Sequence, residues 1–368
     1  MIEIKGAYNT AIIYSDAVEA DAMDQIRTLC DQKFVTGSKI RIMPDVHLGA
    51  GCTIGTTMTI TDKIVPNLVG VDIGCGMEVI RTAERNFDPA RLDAVIAMKI
   101  PSGFSIREKP HPFAEEIDLE SLRCKKWVDL GRARKSIGTL GGGNHFIEAD
   151  RDSEGGLYIV VHSGSRHLGL EVAGFYQGAA VKSASIRGED IPKSLAYVSG
   201  ESFDDYLHDM KLVQRYADLN RKAMVQEIAA SLQLEILERF TTIHNYIDTD
   251  RMILRKGAVS AMKGEKLLIP LNMADGSLIC IGKGNAEWNY SAPHGAGRLM
   301  SRKQAKKTFT LQQFEKAMAG IYSTTVSRAT LDEIPLAYKP INEITANIGE
   351  TADIVKRLLP IYNFKAED

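Results

Sequence analysis

Five of the eight histidines stand where the chain is expected to turn or a strand to end. His47 lies in MPDVHLGAGCTIGTT, His145 in GTLGGGNHFIE, His162 in VVHSGSRHLG, His244 in TTIHNYID and His294 in SAPHGAGR. Each sits beside Gly, Asn, Ser or Asp, and a sixth segment, GVDIGCGM, sets Asp72 and Cys75 three apart in a glycine-rich turn. Singly, each has an ordinary structural reading: a strand-end histidine bonds a turn, such as one started by Pro44 and Asp45 before His47, and a cysteine packs as a small hydrophobe. Together, Asp, Cys and several His form the donor set of a transition metal. A thiolate placed to bridge two ions, with imidazoles and a carboxylate completing the shells, suits divalent Zn or Mn. Glycine-rich backbone with free N–H groups suits a phosphate, because no Cβ blocks the approach. Metal and phosphate loops together point to phosphoryl or nucleotidyl transfer, where catalysis is mostly positioning and charge neutralisation.

Other chemistries lack their signatures. The chain has no G-x-x-x-x-G-K-[ST] loop, no G-x-S-x-G elbow and no H-E-x-x-H helix. Ser163 and Ser165 flank His162 in HSGSR without an evident orienting acid, which disfavours a serine hydrolase. His111 and His208 read as ordinary surface residues and receive no role.

The elements that must hold these residues can be read from patterning. Residues 15–34 read as a helix capped by Ser15 or Asp16, with Val18, Ala22, Ile26, Leu29 and Cys30 as its buried stripe. From about 36 to 80, short apolar runs broken by glycine predict strands and tight loops, and 156–162 predicts a buried strand ending at His162. Residues 202–240 predict one long helix or two abutting ones, 252–283 strands, and 310–321 and about 345–358 further helices. Irregular interleaving of strands and helices, with no repeat or linker, predicts an α+β fold with one compact domain over 1–368.

With 44% apolar and 25% charged residues, the chain can bury a core without disulfide staples. Its five cysteines are odd in number and scattered, which fits a reducing compartment. No apolar run is long enough for a signal peptide or membrane span, so a cytoplasmic location is expected. A net charge of −2 neither predicts nor excludes a polyanionic partner, for which a local basic surface suffices. Candidate surfaces are GRARK (131–135), Arg255–Lys256 and SRKQAKK (301–307).

The motifs PDVHLGAGCTIGT, VGVDIGCGM, GGGNHFIE, HSGSRHLG, RKGA and HGAGRLMSR occur in the order seen in the RtcB family of GTP-dependent RNA ligases, which the chain resembles from about residue 40 onward. The resemblance implies an α+β fold around a central pocket for two Mn²⁺ ions. It also implies joining of RNA 3′-phosphate or 2′,3′-cyclic-phosphate ends to 5′-hydroxyl ends with GTP. On that basis Asp72, Cys75 and His145 would hold one ion, and Cys75, His162 and His244 the other. His294 would be the residue that becomes guanylylated, and Arg166 and Lys256 would contact phosphate. GTP would lie against Asn144, His145, Phe146, Ile147 and Glu148, against His244 and Asn245, and against Pro270, Leu271, Asn272, Met273 and Ser277. Gly295, Ala296, Gly297 and Lys365 would complete that site.

The family's Pro-Gly-Ser-Met-Gly loop reads PLNMADGS here, with Leu271 for a glycine and Asn272 for a serine, so a reshaped nucleotide pocket is expected. The chain is also shorter than many relatives and resembles a divergent subfamily, for which RNA repair is the expected role. The resemblance extends to partners, an archease or a release-factor-like protein. Two alternatives remain at this stage: a metal-dependent RNA cyclic phosphodiesterase that has lost ligation, and a non-catalytic RNA-binding factor.

Overall fold

In the computed structural model, which describes residues 1–16 and 18–366, the glycine-punctuated runs become strands of two main sheets. The larger sheet has seven strands, in spatial order Ile236–Ile243, Gly76–Thr82, Leu157–Ser163, Phe146–Arg151, Ala352–Lys365, Gly276–Gly282 and Lys266–Asn272. Every neighbouring pair in it is antiparallel. The six-stranded sheet runs Ile2–Lys5, Thr10–Ile13, Ile40–His47, Ile54–Thr59, Ile253–Lys256, Asn245–Asp248, with one parallel pair, its second and third strands. His244 is the single residue between the strands Ile236–Ile243 and Asn245–Asp248, so the chain passes from one sheet to the other at a histidine.

Side-chain alternation sorts the larger sheet into two faces. Leu157, Ile159 and Val161 pack with Ile80 and Ile147 against Leu92 and Ile96 of the helix Pro89–Lys99, and against Met224, Val225 and Ile228 of the helix Glu201–Leu232. Tyr158 and Val160 face the other way, with Met77, Val79, Leu268, Ile279 and Leu358. His162 shares the parity of Tyr158 and Val160, on the face away from the long helix.

Register then decides which ends meet. Met77 and Phe146 both lie opposite His162, Gly76 lies opposite Ile243, and Lys365 lies opposite Phe146. Because the neighbours are antiparallel, the starts of two strands and the ends of three others share one end of the sheet. Cys75, His145, His162, His244 and Lys365 are all delivered there.

The mixed α and β architecture matches expectation, and three element boundaries do not. The first helix is Ala20–Cys30, with Glu19 at its N-cap and no side-chain cap; Ala22, Ile26, Leu29 and Cys30 are buried, while Val18 is only partly so. The backbone of Tyr14 still bonds Ile42 O at 3.0 Å and prolongs the preceding strand, so the helix begins after Glu19 and not at Ser15 or Asp16; residue 17 of that segment lies outside the described residues. The long helix is Glu201–Leu232 and stops at Gln233, whose φ of +57° breaks helical geometry. The next element, Ile236–Ile243, is a strand that pairs with Gly76–Thr82. Residues 352–365 form a strand, not a helix, because each flank finds a partner strand, Gly276–Gly282 and Phe146–Arg151. Only the short helix Ile341–Thr345 precedes it. Among the described residues, no helix is long and apolar enough to cross a membrane.

Candidate active site

At the shared sheet end, Cys75 joins two triads of donors. Asp72, Cys75 and His145 have donor atoms within 4.8 Å of one another, and so do Cys75, His162 and His244. Cys75 Sγ lies 3.5 Å from His145 Nε2 and 3.3 Å from His162 Nε2, and Asp72 Oδ2 lies 2.9 Å from His145 Nε2. A backbone carbonyl holds the His162 ring, and further bonds hold the segments around it. His162 Nδ1 donates to Asn144 O at 3.1 Å, which leaves Nε2 with the lone pair that faces the sulfur. His244 N donates to Cys75 O at 3.0 Å, and Ser165 N and Oγ donate to Asp72 Oδ1.

Beneath the triads, adjacent residues of the long helix tie the loops together. Asn220 Oδ1 accepts from Gly138 N and Thr139 N, and its Nδ2 donates to Ser163 Oγ and Gly164 O. The fully buried Arg221 donates through Nη1 to Gly74 O at 2.8 Å and Ser163 O at 3.0 Å, one residue from Cys75 and one from His162.

The chemistry of this donor set fits a divalent cation. Burial pushes His162 and His244 well below the usual imidazole range, so both rings are neutral and carry lone pairs. Burial, and then the charge of Asp72, pushes the Cys75 thiol well up. Burial opposes ionisation of Asp72 as well, but the His145 hydrogen bond and charge outweigh it and hold the carboxyl well down. One ring nitrogen each of His145 and His244, both Nδ1, is buried without a hydrogen-bond partner. Neutral imidazoles, a thiol and a carboxylate packed this closely are the ligands a borderline cation selects, and such a cation would convert the thiol to thiolate.

His294 stands beside them, its ring centroid 4.9 Å from that of His244. It comes directly after the strand Ser291–Pro293, which pairs with Ala258–Ser260, and Ala258 N in turn donates to His244 O at 3.2 Å. Asp45, fully buried in the strand Ile40–His47, accepts at Oδ2 from His294 Nδ1 at 2.6 Å and from His294 N at 3.1 Å. The proton therefore sits on Nδ1, and Nε2 keeps its lone pair. Gly297, with φ +77°, makes this approach possible: a Cβ there would lie 2.6 Å from Asp45 O. His47 Nδ1 donates to Asp45 O at 2.8 Å, and burial lowers His47 to about 4.

His294 opens on a cleft enclosing about 890 Å³, its mouth included. Of the residues expected to contact nucleotide, Asn144, Phe146, Glu148, Pro270, Leu271, Asn272, Met273, Gly295, Ala296, Gly297 and Lys365 line it, as does His162. Lys365 Nζ bonds Asn144 O at 2.8 Å and Glu333 Oε2 at 2.7 Å. Burial would raise Glu333, but Lys365 and Arg302 outweigh it and hold the carboxyl at about 2. Glu148 accepts from Asn363 Nδ2 at 2.6 Å, and burial pushes its carboxyl up to about 7.

Five expected residues lie elsewhere. Ile147 faces the long helix in the core, and Ser277 is buried with its hydroxyl unpartnered. Asn245 spends its side chain between Asp72 O and Gly257 N. Lys256 is buried and bonds the carbonyls of Ala50 and Asn67 rather than facing the cleft. Arg166 reaches Thr139 Oγ1 at 3.2 Å and Gly103 O at 3.0 Å, at the outer edge of the donor cluster. His111 is not a surface residue: it is buried, and its Nδ1 accepts from Phe113 N at 3.2 Å.

Sequence reasoning missed Asp45, although it stands two residues before His47 in one of the histidine-bearing segments. It also missed Arg298, Glu333, Tyr338 and Asn363, which line the cleft together with Arg302 of the basic run 301–307.

Comparison with known proteins gives the family. The family described as tRNA-splicing ligase RtcB matches residues 25–128 and 119–366. The chain belongs to the RtcB family. It is 34% identical to the RNA-splicing ligase RtcB of Escherichia coli K12 over 392 residues, 95% of each chain. It is 29% identical to the tRNA-splicing ligase RtcB of Aeropyrum pernix, over 95% of this chain and 94% of that one. The tRNA-splicing ligase RtcB of Thermococcus kodakarensis is 26% identical, with 87% of this chain and 86% of that one covered. The chain is therefore an RNA ligase by family.

Proposed function

We propose that this RtcB-family chain is a GTP- and Mn²⁺-dependent RNA ligase that joins 3′-phosphate or 2′,3′-cyclic-phosphate ends to 5′-hydroxyl ends through a guanylylated His294. One observation carries the reading: the Asp45 carboxylate, 2.6 Å from His294 Nδ1, leaves the Nε2 lone pair free beside a cleft and next to two potential metal triads. An oriented neutral imidazole is a nucleophile, and the triads mark where phosphate charge can be neutralised.

His294 Nε2 attacks the α-phosphorus of GTP; the N–P bond forms, the α–β P–O bond breaks and pyrophosphate leaves. A 3′-phosphate oxygen of the RNA then attacks the same phosphorus, breaks the P–N bond and returns the imidazole. The 5′-hydroxyl attacks the activated 3′-phosphorus, GMP leaves, and the hydroxyl proton passes to solvent. A cyclic phosphate is opened first by water. Divalent ions held by Asp72, Cys75, His145, His162 and His244 would neutralise the charge that develops on the phosphates.

The chain's own groups supply the rest. Asp45 fixes the His294 tautomer and ring plane. Lys365, Arg298 and Arg302 line the cleft around Glu333, with which each is paired, and would turn donors toward the phosphates. Glu148 offers an acceptor to the donor edge of guanine, which adenine does not present in the same way. Cleavage of RNA through its own 2′-hydroxyl leaves the ends this reaction consumes, so repair of cleaved RNA is the role we assign.

The test is transfer of label from GTP carrying ³²P at the α-phosphate in the presence of Mn²⁺, followed by joining of two RNA strands with the stated ends. Wild type should retain acid-labile, base-stable label, and His294→Ala none. Equal labelling of the two proteins would sink the proposal. Opening of cyclic ends without joining, at saturating GTP, would replace it with a phosphodiesterase.

A further inference from the structure

Outside the cleft, the surface around helix Leu130–Ser136 has the make-up of a platform for single-stranded nucleic acid. Residues 123–135 carry six Lys and Arg against one acid, Asp129. Three of the six are engaged elsewhere, Arg134 with Glu120 at 2.8 Å, Arg123 with Asp205 at 3.7 Å and Lys125 with Glu120 O at 2.8 Å. Lys126 and Lys135 are exposed, while Arg132 is half-buried, with its Nε out of contact with solvent. Two large aromatic side chains flank this helix in the open, Phe104 at 84% and Trp127 at 70% exposure.

Neither aromatic stands on a loose segment. Gly103, next to Phe104, donates its N–H to Gly141 O at 2.9 Å and accepts from Arg166 Nη2 at 3.0 Å. Leu140 N bonds Pro101 O at 2.9 Å, Arg107 N bonds Lys135 O at 3.0 Å, and Arg132 Nη2 reaches Phe104 O at 3.5 Å. The loop is thus stitched to the glycine segment that leads into Asn144 and His145. Trp127 stacks on Phe175, ring centroids 5.9 Å apart, over the helix Arg166–Arg187. Between Arg166, which holds the Phe104 loop, and Phe175, the helix rises roughly 14 Å, about the length of four stacked nucleotides. The inner end of this track is Arg166, whose guanidinium feels the charge of Asp72.

An exposed phenylalanine gains nothing from the core, and a ring held rigidly in solvent beside unpaired cations suits a base above a phosphate backbone. We infer that this surface docks the RNA strand as it leaves the cleft, with one base on Phe104 and another on Trp127, and with Lys126 and Lys135 on the phosphates between. The inference rests on the ligase reading and adds to it the path of the strand.

The probe is a single-stranded RNA carrying 2-aminopurine at successive positions from a 3′-phosphate end or from a 5′-hydroxyl end. Stacking should quench the fluorophore at one position in wild type and not in Phe104→Ala. Phe104→Ala should bind the strand about tenfold more weakly, about 1.4 kcal/mol. Phe104→Trp should restore binding, because the ring and not its identity is used. Labelling of His294 from GTP, which needs no RNA, should be unchanged in Phe104→Ala. Quenching and weakening with either strand support the docking and say which end it serves. Equal affinity of Phe104→Ala and wild type, with His294 still labelled, would overturn the docking alone; a wild-type chain that binds neither strand would overturn it together with the ligase reading.

Discussion

Replacing Asp45 with asparagine separates the orientation of His294 from its presence. The Asp45 carboxylate bonds only His294, by a 2.6 Å contact to Nδ1 and a 3.1 Å contact to its backbone N–H. An asparagine keeps the shape and can still accept from the backbone. It loses the charge, and a side-chain amide turned toward the ring favours the tautomer with its proton on Nε2. A charge-assisted hydrogen bond contributes about 1.5–3 kcal/mol, and each 1.36 kcal/mol is a factor of about ten in rate. Asp45→Asn should therefore slow labelling of His294 by roughly 10–150-fold, with the tautomer change acting in the same direction. The assay is a time course of labelling under saturating GTP and Mn²⁺, with calorimetric metal titration as a control. Metal binding should be unchanged, since Asp45 touches none of the donors in the two triads. Labelling at the wild-type rate would refute the role given to Asp45, and a parallel loss of metal binding would mean that Asp45 acts through the fold.

Cys75→Ala removes the donor common to both triads and should weaken metal binding by more than the ~10–100-fold typical of losing an outer partner; His244→Ala should affect one of the two sites, and titration stoichiometry tells these apart. Arg221→Met leaves Gly74 O and Ser163 O without their buried donor and should cost about 2–4 kcal/mol, read from the urea midpoint. Lys365→Met should bring acid unfolding to higher pH. The Glu333 carboxyl is depressed from 4.5 to about 2, so its stabilisation is present above 4.5 and lost as pH falls through about 2. Without Lys365 that stabilisation shrinks, so the variant should melt lower than wild type above pH 4.5 and the gap should close as pH falls toward 2, which thermal melts between pH 5 and pH 2 should register.

Residue types carried more of the site than element patterns did. Asp72, Cys75, His145, His162, His244 and His294 stood out as a set, because several such donors beside glycine point together to a metal where each alone has a packing reading. Their convergence was not legible, since it depends on antiparallel register across strands as far apart in sequence as Gly76–Thr82 and Ala352–Lys365. Helix limits failed where tertiary pairing overrides local pattern. LEILERF continues the preceding helical periodicity, yet its backbone completes the edge of the larger sheet. Asp45 was hidden for the same reason: nothing local ties it to a histidine 249 positions away.

The PLNMA segment shows how a departure from a family pattern can be absorbed by turn chemistry. Pro270 and Leu271 belong to the strand Lys266–Asn272, and Leu271 is buried among Leu267, Ile269 and Ala296 while also reaching the cleft wall. Asn272 Oδ1 accepts from Ala274 N at 3.0 Å and Asp275 N at 2.9 Å, and its Nδ2 donates to Asp275 Oδ2 at 2.8 Å. That is the bonding by which asparagine nucleates a turn. The polar side chain is thereby occupied with closing its own hairpin, and Gly276, at φ +73°, lets the return strand pass within reach of Leu358 O. The segment presents to the cleft an apolar wall, Leu271 and Met273, facing Phe146 and the carboxylate of Glu148. A flat base fits between an apolar wall and a phenylalanine whatever its identity. On the ligase reading proposed above, discrimination among bases would fall to Glu148 and Asn363 rather than to the substituted loop.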